Sequence, residues 1–292
     1  MRPRIDSHQH FWTYRAADYA WISEAMPLLR RDCLPPDVTA SMAVAQVDRV
    51  VAVQARCALQ ETDALLALAA QHRAIVGVVG WLDLCQPALA AQLENWQGQA
   101  ALKGFRHLLQ DEVDVPAWLD NTHVNAGLKL LQARQFSYDI LVHQHQLPWI
   151  QTMCRQHDQH WLVLDHLGKP ALANYHSDPR CMNAWCAALA PLAAMPHVVV
   201  KLSGLVTQTA WAGRSCLDAA DGALIQRCFD IALDYFGPQR LLFGSDWPVC
   251  QLAAPYDRVV GLVEEWAGSR LSLAEQADFW AGNATRVYSL NP

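Results

Sequence analysis

Charge is scarce in this chain. Only 17% of its 292 residues are Asp, Glu, Lys or Arg, and the net charge is −6. A nucleic-acid binder carries a basic stripe; none is present, and we expect no nucleic-acid partner. Long apolar runs are missing too. No stretch approaches the roughly 18 residues that cross a bilayer, so no membrane partner is expected. The opening residues, MRPRIDSHQHFW, turn polar at once without an apolar core, and we expect no secretory signal. The nine cysteines are odd in number and contain no CxxC pair. Disulfide scaffolds belong to much smaller secreted chains, so the expectation is reduced, buried thiols in a cytoplasmic protein. There is no P-loop, GxSxG or HExxH. Nor is there an internal repeat, a low-complexity tract or an interdomain linker.

What is present is apolar sequence, at 52%, with twelve tryptophans and twelve histidines. Eight short runs rich in Val, Ile and Leu lie at 3–12, 47–55, 75–84, 102–109, 138–144, 160–168, 197–205 and 240–248. Runs apolar on both faces suit buried parallel strands. Helical patterns separate them at 61–72, 89–97, 147–157, 182–194, 224–236 and 256–267. Thr62 is the expected N-cap of the first of these. Eight strands alternating with helices give the count of a (β/α)8 TIM barrel. A doubly wound sheet usually carries a Gly-rich turn after its first strand; here that strand ends in HQHFW. We expect one α/β barrel domain over residues 1–292, with 13–37 forming a loop over its mouth.

Barrel chemistry sits at the C-terminal ends of strands. Five of the eight runs end in polar side chains that are costly to place beside a packed core unless satisfied or used. His8 and His10 share one face of a strand, and two such imidazoles can hold one divalent ion. Asp246 closes the eighth run. In a closed barrel the first and eighth strands are neighbours, so His8, His10 and Asp246 can converge as a metal or catalytic cluster; a hydrogen-bonded structural network is the other reading. His166 follows Asp165, either tying a loop or facing the site. Arg106 either grips a substrate through its forked donors or makes a structural ion pair. His143 is either a further ligand or a polar loop start, and Lys201 reads as a barrel-interior ion-pair member. Arg106, His107, Trp12, Trp247 and His143 are the candidates for substrate contact, with Trp21 and Trp118 as further flat surfaces; core filling explains tryptophans equally well.

These residues fall within motifs that resemble the amidohydrolase superfamily, in its lactonase branch. DSHQHFW (6–12), VQA with ETD (53–55, 61–63), VGWLDL (79–84), KGFRHLLQDE (103–112), VLDHLGKP (163–170), KLSG (201–204), FGSDWPV (243–249) and FWAGNATRVY (279–288) occur in the family's order. The resemblance is strongest to L-fuconolactonases and L-rhamnonolactonases. It implies an amidohydrolase-like barrel that opens a sugar lactone, an aldono-1,4-lactone such as L-fuconolactone, to its acid. Many relatives bridge two metals through a carboxylated lysine on the fourth strand. Lys103 stands at the start of that strand, so at most one ion is expected. Zinc on His8, His10 and Asp246 is the first choice, and a metal-independent route stays open. Asp246 is the expected general base. His8, His10 and His166 assist, polarising the lactone carbonyl where no ion does. Other chemistries on the same scaffold remain: pyrone or muconolactone hydrolysis, amide hydrolysis, metal-dependent decarboxylation, or a non-catalytic barrel binding a sugar acid. Oligomerisation is open.

Overall fold

The computed structural model describes residues 3–175, 177–214 and 217–291. Eight parallel strands form one sheet in sequence order: β1 (Ile5–Gln9), β2 (Arg49–Val53), β3 (Ile75–Gly80), β4 (Leu102–His107), β5 (Ser137–Ile140), β6 (Leu162–Leu164), β7 (Val198–Leu202) and β8 (Leu241–Phe243). Seven strands lie within the expected apolar runs, and β5 begins one residue before its run at 138–144. The sheet curls into a nearly closed barrel. Its seam is a parallel bridge between Gln9 and Trp247, with the Asp246 N–H donating to the His8 carbonyl at 2.9 Å and the His10 N–H to the Trp247 carbonyl at 2.7 Å.

The period-2 alternation of a strand divides the core in two. Val51, Val53, Val163, Val199 and Leu242 face the barrel interior. Their neighbours Val50, Ala52, Leu162, Leu164, Val198, Val200, Leu241 and Phe243 pack outward against the helices. The interior cluster is completed from below by Ala281, Ala284, Val287, Tyr288 and Leu290, so the end of the chain plugs the N-terminal side of the barrel. Lys103 sits at that end, half-buried, donating from Nζ to the Ser289 carbonyl at 2.9 Å.

All six expected helical segments are helical over most of their length, at 59–71, 89–94, 147–156, 180–193, 219–236 and 256–270. Helices at 35–44, 115–120 and 122–133 were not expected. Thr62 is not an N-cap. Its helix begins at Leu59 behind Ala58, and the buried Thr62 hydroxyl donates to the Trp81 carbonyl and accepts from the Trp81 N–H, both at 2.8 Å. A hydroxyl one turn into a helix can tie the exit of a strand as readily as cap a terminus.

Among the described residues no disulfide is present. Cys33, Cys154, Cys228 and Cys250 are buried, as expected; Cys57 is exposed and Cys85, Cys181 and Cys186 are half-buried, against that expectation. Cys216 lies outside the described residues. Among those described, no helix is long and apolar enough to cross a membrane.

Candidate active site

The site is built at the seam. The register of β1 against β2 shifts between Asp6 and Gln9. Asp6 anchors this stretch: Oδ1 accepts from the His8 N–H at 3.1 Å and the Ser245 N–H at 2.8 Å, and Oδ2 from Gln9 Nε2 at 2.7 Å and the Tyr256 hydroxyl at 3.1 Å. One buried carboxylate thus fixes both sides of the closure. Gly244 keeps the two sides close, since a Cβ there would lie 2.7 Å from the Cβ of His8.

His8, His10, His166 and Asp246 meet at this point. His10 Nδ1 lies 2.8 Å from the Val53 carbonyl. A carbonyl only accepts, so Nδ1 carries the proton and Nε2 is bare. His8 Nε2 lies 3.3 Å from the Arg106 guanidinium, and His8 Nδ1 lies 3.1 Å from Lys201 Nζ and 3.3 Å from Asp165 Oδ1. The Nε2 atoms of His8 and His10 face each other at 3.1 Å. Asp246 Oδ1 lies 3.3 Å from His10 Nε2, 3.7 Å from His8 Nε2 and 3.9 Å from His166 Nε2. Ligand atoms about 2.0–2.1 Å from a tetrahedral zinc ion stand about 3.3 Å apart. His8, His10 and Asp246 therefore fit one divalent ion in donor type and spacing. His8, Asp165 and His166 form a second group of that kind around the same imidazole.

Asp246 and His166 are both held in left-handed backbone, at φ 62° and 54°. Leu167 and Lys169 follow at 52° and 50°, around Gly168 at 69°. Non-glycine residues adopt this region at a cost of about 1–2 kcal/mol each, and such strain clusters where a side chain must be aimed. The His166 ring is seated by Ser203, whose Oγ is 2.9 Å from Nδ1, and by Gly204, where a Cβ would come within 2.4 Å of that nitrogen.

Burial pushes the His166 pKa down to about 4, against the opposing pull of Asp246 and Asp165; it is neutral at pH 7. Burial lowers His8 as well. Burial raises Asp246, but His166, His10 and His8 outweigh it and hold the carboxyl below its usual range. Asp246 is a carboxylate ringed by imidazoles.

Beneath lies a buried charge network. Lys201 Nζ donates to Asp139 Oδ2 at 2.5 Å and stands 3.1 Å from both Asp165 Oδ1 and His8 Nδ1. The Tyr288 hydroxyl donates to Asp139 at 2.8 Å. Arg106 pairs with Asp165 at 2.9 Å and donates to the Gln54 carbonyl; its Nε has no partner among the described residues.

Above the cluster opens a cavity of about 380 Å³. Its polar wall holds His10, Arg106, His166 and Asp246, with Gln110, Asp111 and Lys169, which the sequence reading passed over. Their positions just past β4 and β6 were the available signal. Trp21 and Met26, from the long segment after β1, join Trp211 on the apolar wall.

The other candidates lie off that wall. Trp12 is core, its indole donating to the Arg31 carbonyl at 2.9 Å, and Trp247 packs on Phe11 with centroids 5.7 Å apart. His107 bonds Glu112 at 2.7 Å, accepts from the Trp81 indole at 3.1 Å and stacks on Trp118. His143 sits three residues beyond β5, half-buried, its ring stacked on His145; it belongs to neither group of metal-ligating side chains.

The amidohydrolase family model matches residues 5–290. An L-fucono-1,5-lactonase of Burkholderia multivorans is 54% identical over 287 residues, covering 98% of this chain and 96% of that protein. An L-fucono-1,5-lactonase of Burkholderia ambifaria is 31% identical, covering 100% of this chain and 97% of that protein. A crystal structure of an amidohydrolase from Burkholderia multivorans with bound zinc superposes with a TM-score of 0.95 at 53% identity, covering 99% of this chain and all of that one.

Proposed function

The chain belongs to the amidohydrolase family, and from that premise we propose that it hydrolyses a sugar lactone to its acid, with L-fucono-1,5-lactone as the first candidate. The ring size follows the names of the similar lactonases, which specify the 1,5-lactone where the motifs had suggested the 1,4. The observation that carries the reading is the convergence of the Asp246 carboxylate with His8, His10, His166 and Arg106 beside one small cavity, in a chain so similar to a lactonase over its whole length.

Asp246 takes a proton from water as the water oxygen bonds the lactone carbonyl carbon. Ser203, donating to His166 Nδ1, leaves the Nε2–H of a neutral ring to face the developing oxyanion. Arg106, on the cavity wall, orients the substrate. As the bond from carbonyl carbon to ring oxygen breaks, Asp246 returns its proton to that oxygen. A divalent ion such as zinc, held by His8, His10 and Asp246, would polarise the carbonyl and lower the pKa of water when bound. Neutral imidazoles and an ionised Asp246 support the same division of labour without it. His107, Trp12, Trp247 and His143 act, on this reading, by supporting the walls. The chain works as one domain, in a reducing compartment such as the cytoplasm.

The test is acid release, followed with a pH indicator, from L-fucono-1,5-lactone and other aldonolactones. Turnover of several of them, fastest with the fuconolactone, is expected. Hydrolysis of none overturns the proposal.

A further inference from the structure

We propose that Lys169 forms an anion subsite in the cavity and takes the carboxylate of the aldonate released when the lactone opens. The identity of the anion rests on the lactonase reading; the site itself rests on the placement of charge. Three cationic or anionic side chains share the polar wall with Lys169, and they are balanced differently. Arg106 is neutralised by Asp165 at 2.9 Å. Asp246 is ringed by imidazoles. Asp111 is exposed at the rim. Lys169 has no ion pair among the described residues. Its one side-chain hydrogen bond among those residues runs from Nζ to Gln110 Oε1 at 2.5 Å, a neutral amide.

An ammonium has three N–H donors, so two remain without an acceptor among the described residues. Lys169 is half-buried, and a cation partly withdrawn from water without a paired countercharge is costly. The cost is compounded by the left-handed turn over 166–169, which brings the Lys169 N–H to the His166 carbonyl at 2.8 Å and sets the side chain on the same wall as His166 and Asp246. Burial and Arg106 lower the Lys169 pKa, while Asp246, Asp111 and Asp165, none close enough to pair with it, pull it back up.

The chemistry supplies the missing countercharge. A sugar lactone enters uncharged. Water forms a bond to the carbonyl carbon, the bond to the ring oxygen breaks, that oxygen keeps one proton, and the acid releases the other. One negative charge therefore appears in the cavity, and only after opening. A fixed cation there favours the opened form over the lactone.

The experiment compares two ligands of equal shape, L-fuconate and its uncharged amide, L-fuconamide, by titration calorimetry or by quenching of the wall tryptophans Trp21 and Trp211. We expect the wild-type protein to bind fuconate at least tenfold more tightly than fuconamide. Lys169→Met and Lys169→Gln bring the two within threefold, and Lys169→Arg retains the preference. A purely structural Lys169 would weaken both ligands together and leave their ratio unchanged, which overturns the proposal; so does a wild-type protein with no preference for fuconate. Should fuconolactones not be hydrolysed while the Lys169-dependent preference holds, the lactonase reading falls and the subsite stands. Hydrolysis with a ratio that Lys169→Met does not move has the opposite meaning.

Discussion

Asp246 occupies left-handed backbone at the seam, with its N–H on the His8 carbonyl and its carboxylate facing three imidazoles. Asn has the same shape and tolerates the same φ, so Asp246→Asn removes the base without a cost in backbone. General-base catalysis contributes about 10²–10⁴-fold, and kcat on a lactone should fall by that factor while the circular dichroism spectrum is unchanged. A near-normal rate would remove Asp246 from the role. Gly204 gives a second test. A Cβ at φ 65° is strained, and it would press on His166 Nδ1 at 2.4 Å. Gly204→Ala is expected to lower kcat at least tenfold and the midpoint of thermal unfolding by several degrees; an unaffected rate would mean that the position of the His166 ring is immaterial.

Elements carry their own charge chemistry. His157 ends the helix over 147–156, fully buried, with Nε2 3.0 Å from Asn125 Oδ1 and Nδ1 unpartnered. Burial, reinforced by Lys129, lowers its pKa to about 4. Between that value and the unfolded value near 6.5 the unfolded chain binds more protons than the folded one. Stability therefore falls as pH drops from about 6.5 to 4 and is unaffected by this group above that range. Urea unfolding at pH 7 and pH 5 should show the loss, and His157→Asn should reduce it. The same scale shows what sequence periodicity reads. The strands were legible because runs such as VVAV and WLVL are apolar on both faces. The helices over 35–44 and 122–133 were not, because PPDVTASMAV and THVNAGLKLLQA mix Pro, Gly, Asn and Thr into their turns, and tertiary packing overrides that weak propensity. His8, His10, His166 and Asp246 were legible as polar residues at strand ends. Lys169 and Gln110 were not, because only the fold of the 166–169 turn brings them onto one wall.

For the molecule as a whole, the balance of buried charge decides how firmly the site holds an ion. Three donors fit zinc, yet His8 has Arg106 at 3.3 Å on one nitrogen and Lys201 at 3.1 Å on the other. Both cations are paired with the Asp139 and Asp165 carboxylates, but each stands at a ring nitrogen of His8, and Arg106 competes with an ion for Nε2. Dialysis against a chelator is therefore expected to remove the metal, as elemental analysis would report, and to leave at least a tenth of the turnover. A loss beyond a hundredfold that zinc restores would show that these cations do not govern the site. Tyr288 extends that balance to the last residues of the chain, since its hydroxyl meets Asp139 inside the barrel. Tyr288→Ala would take away that stopper, open a hole beneath Asp139 and let water reach Lys201 from below.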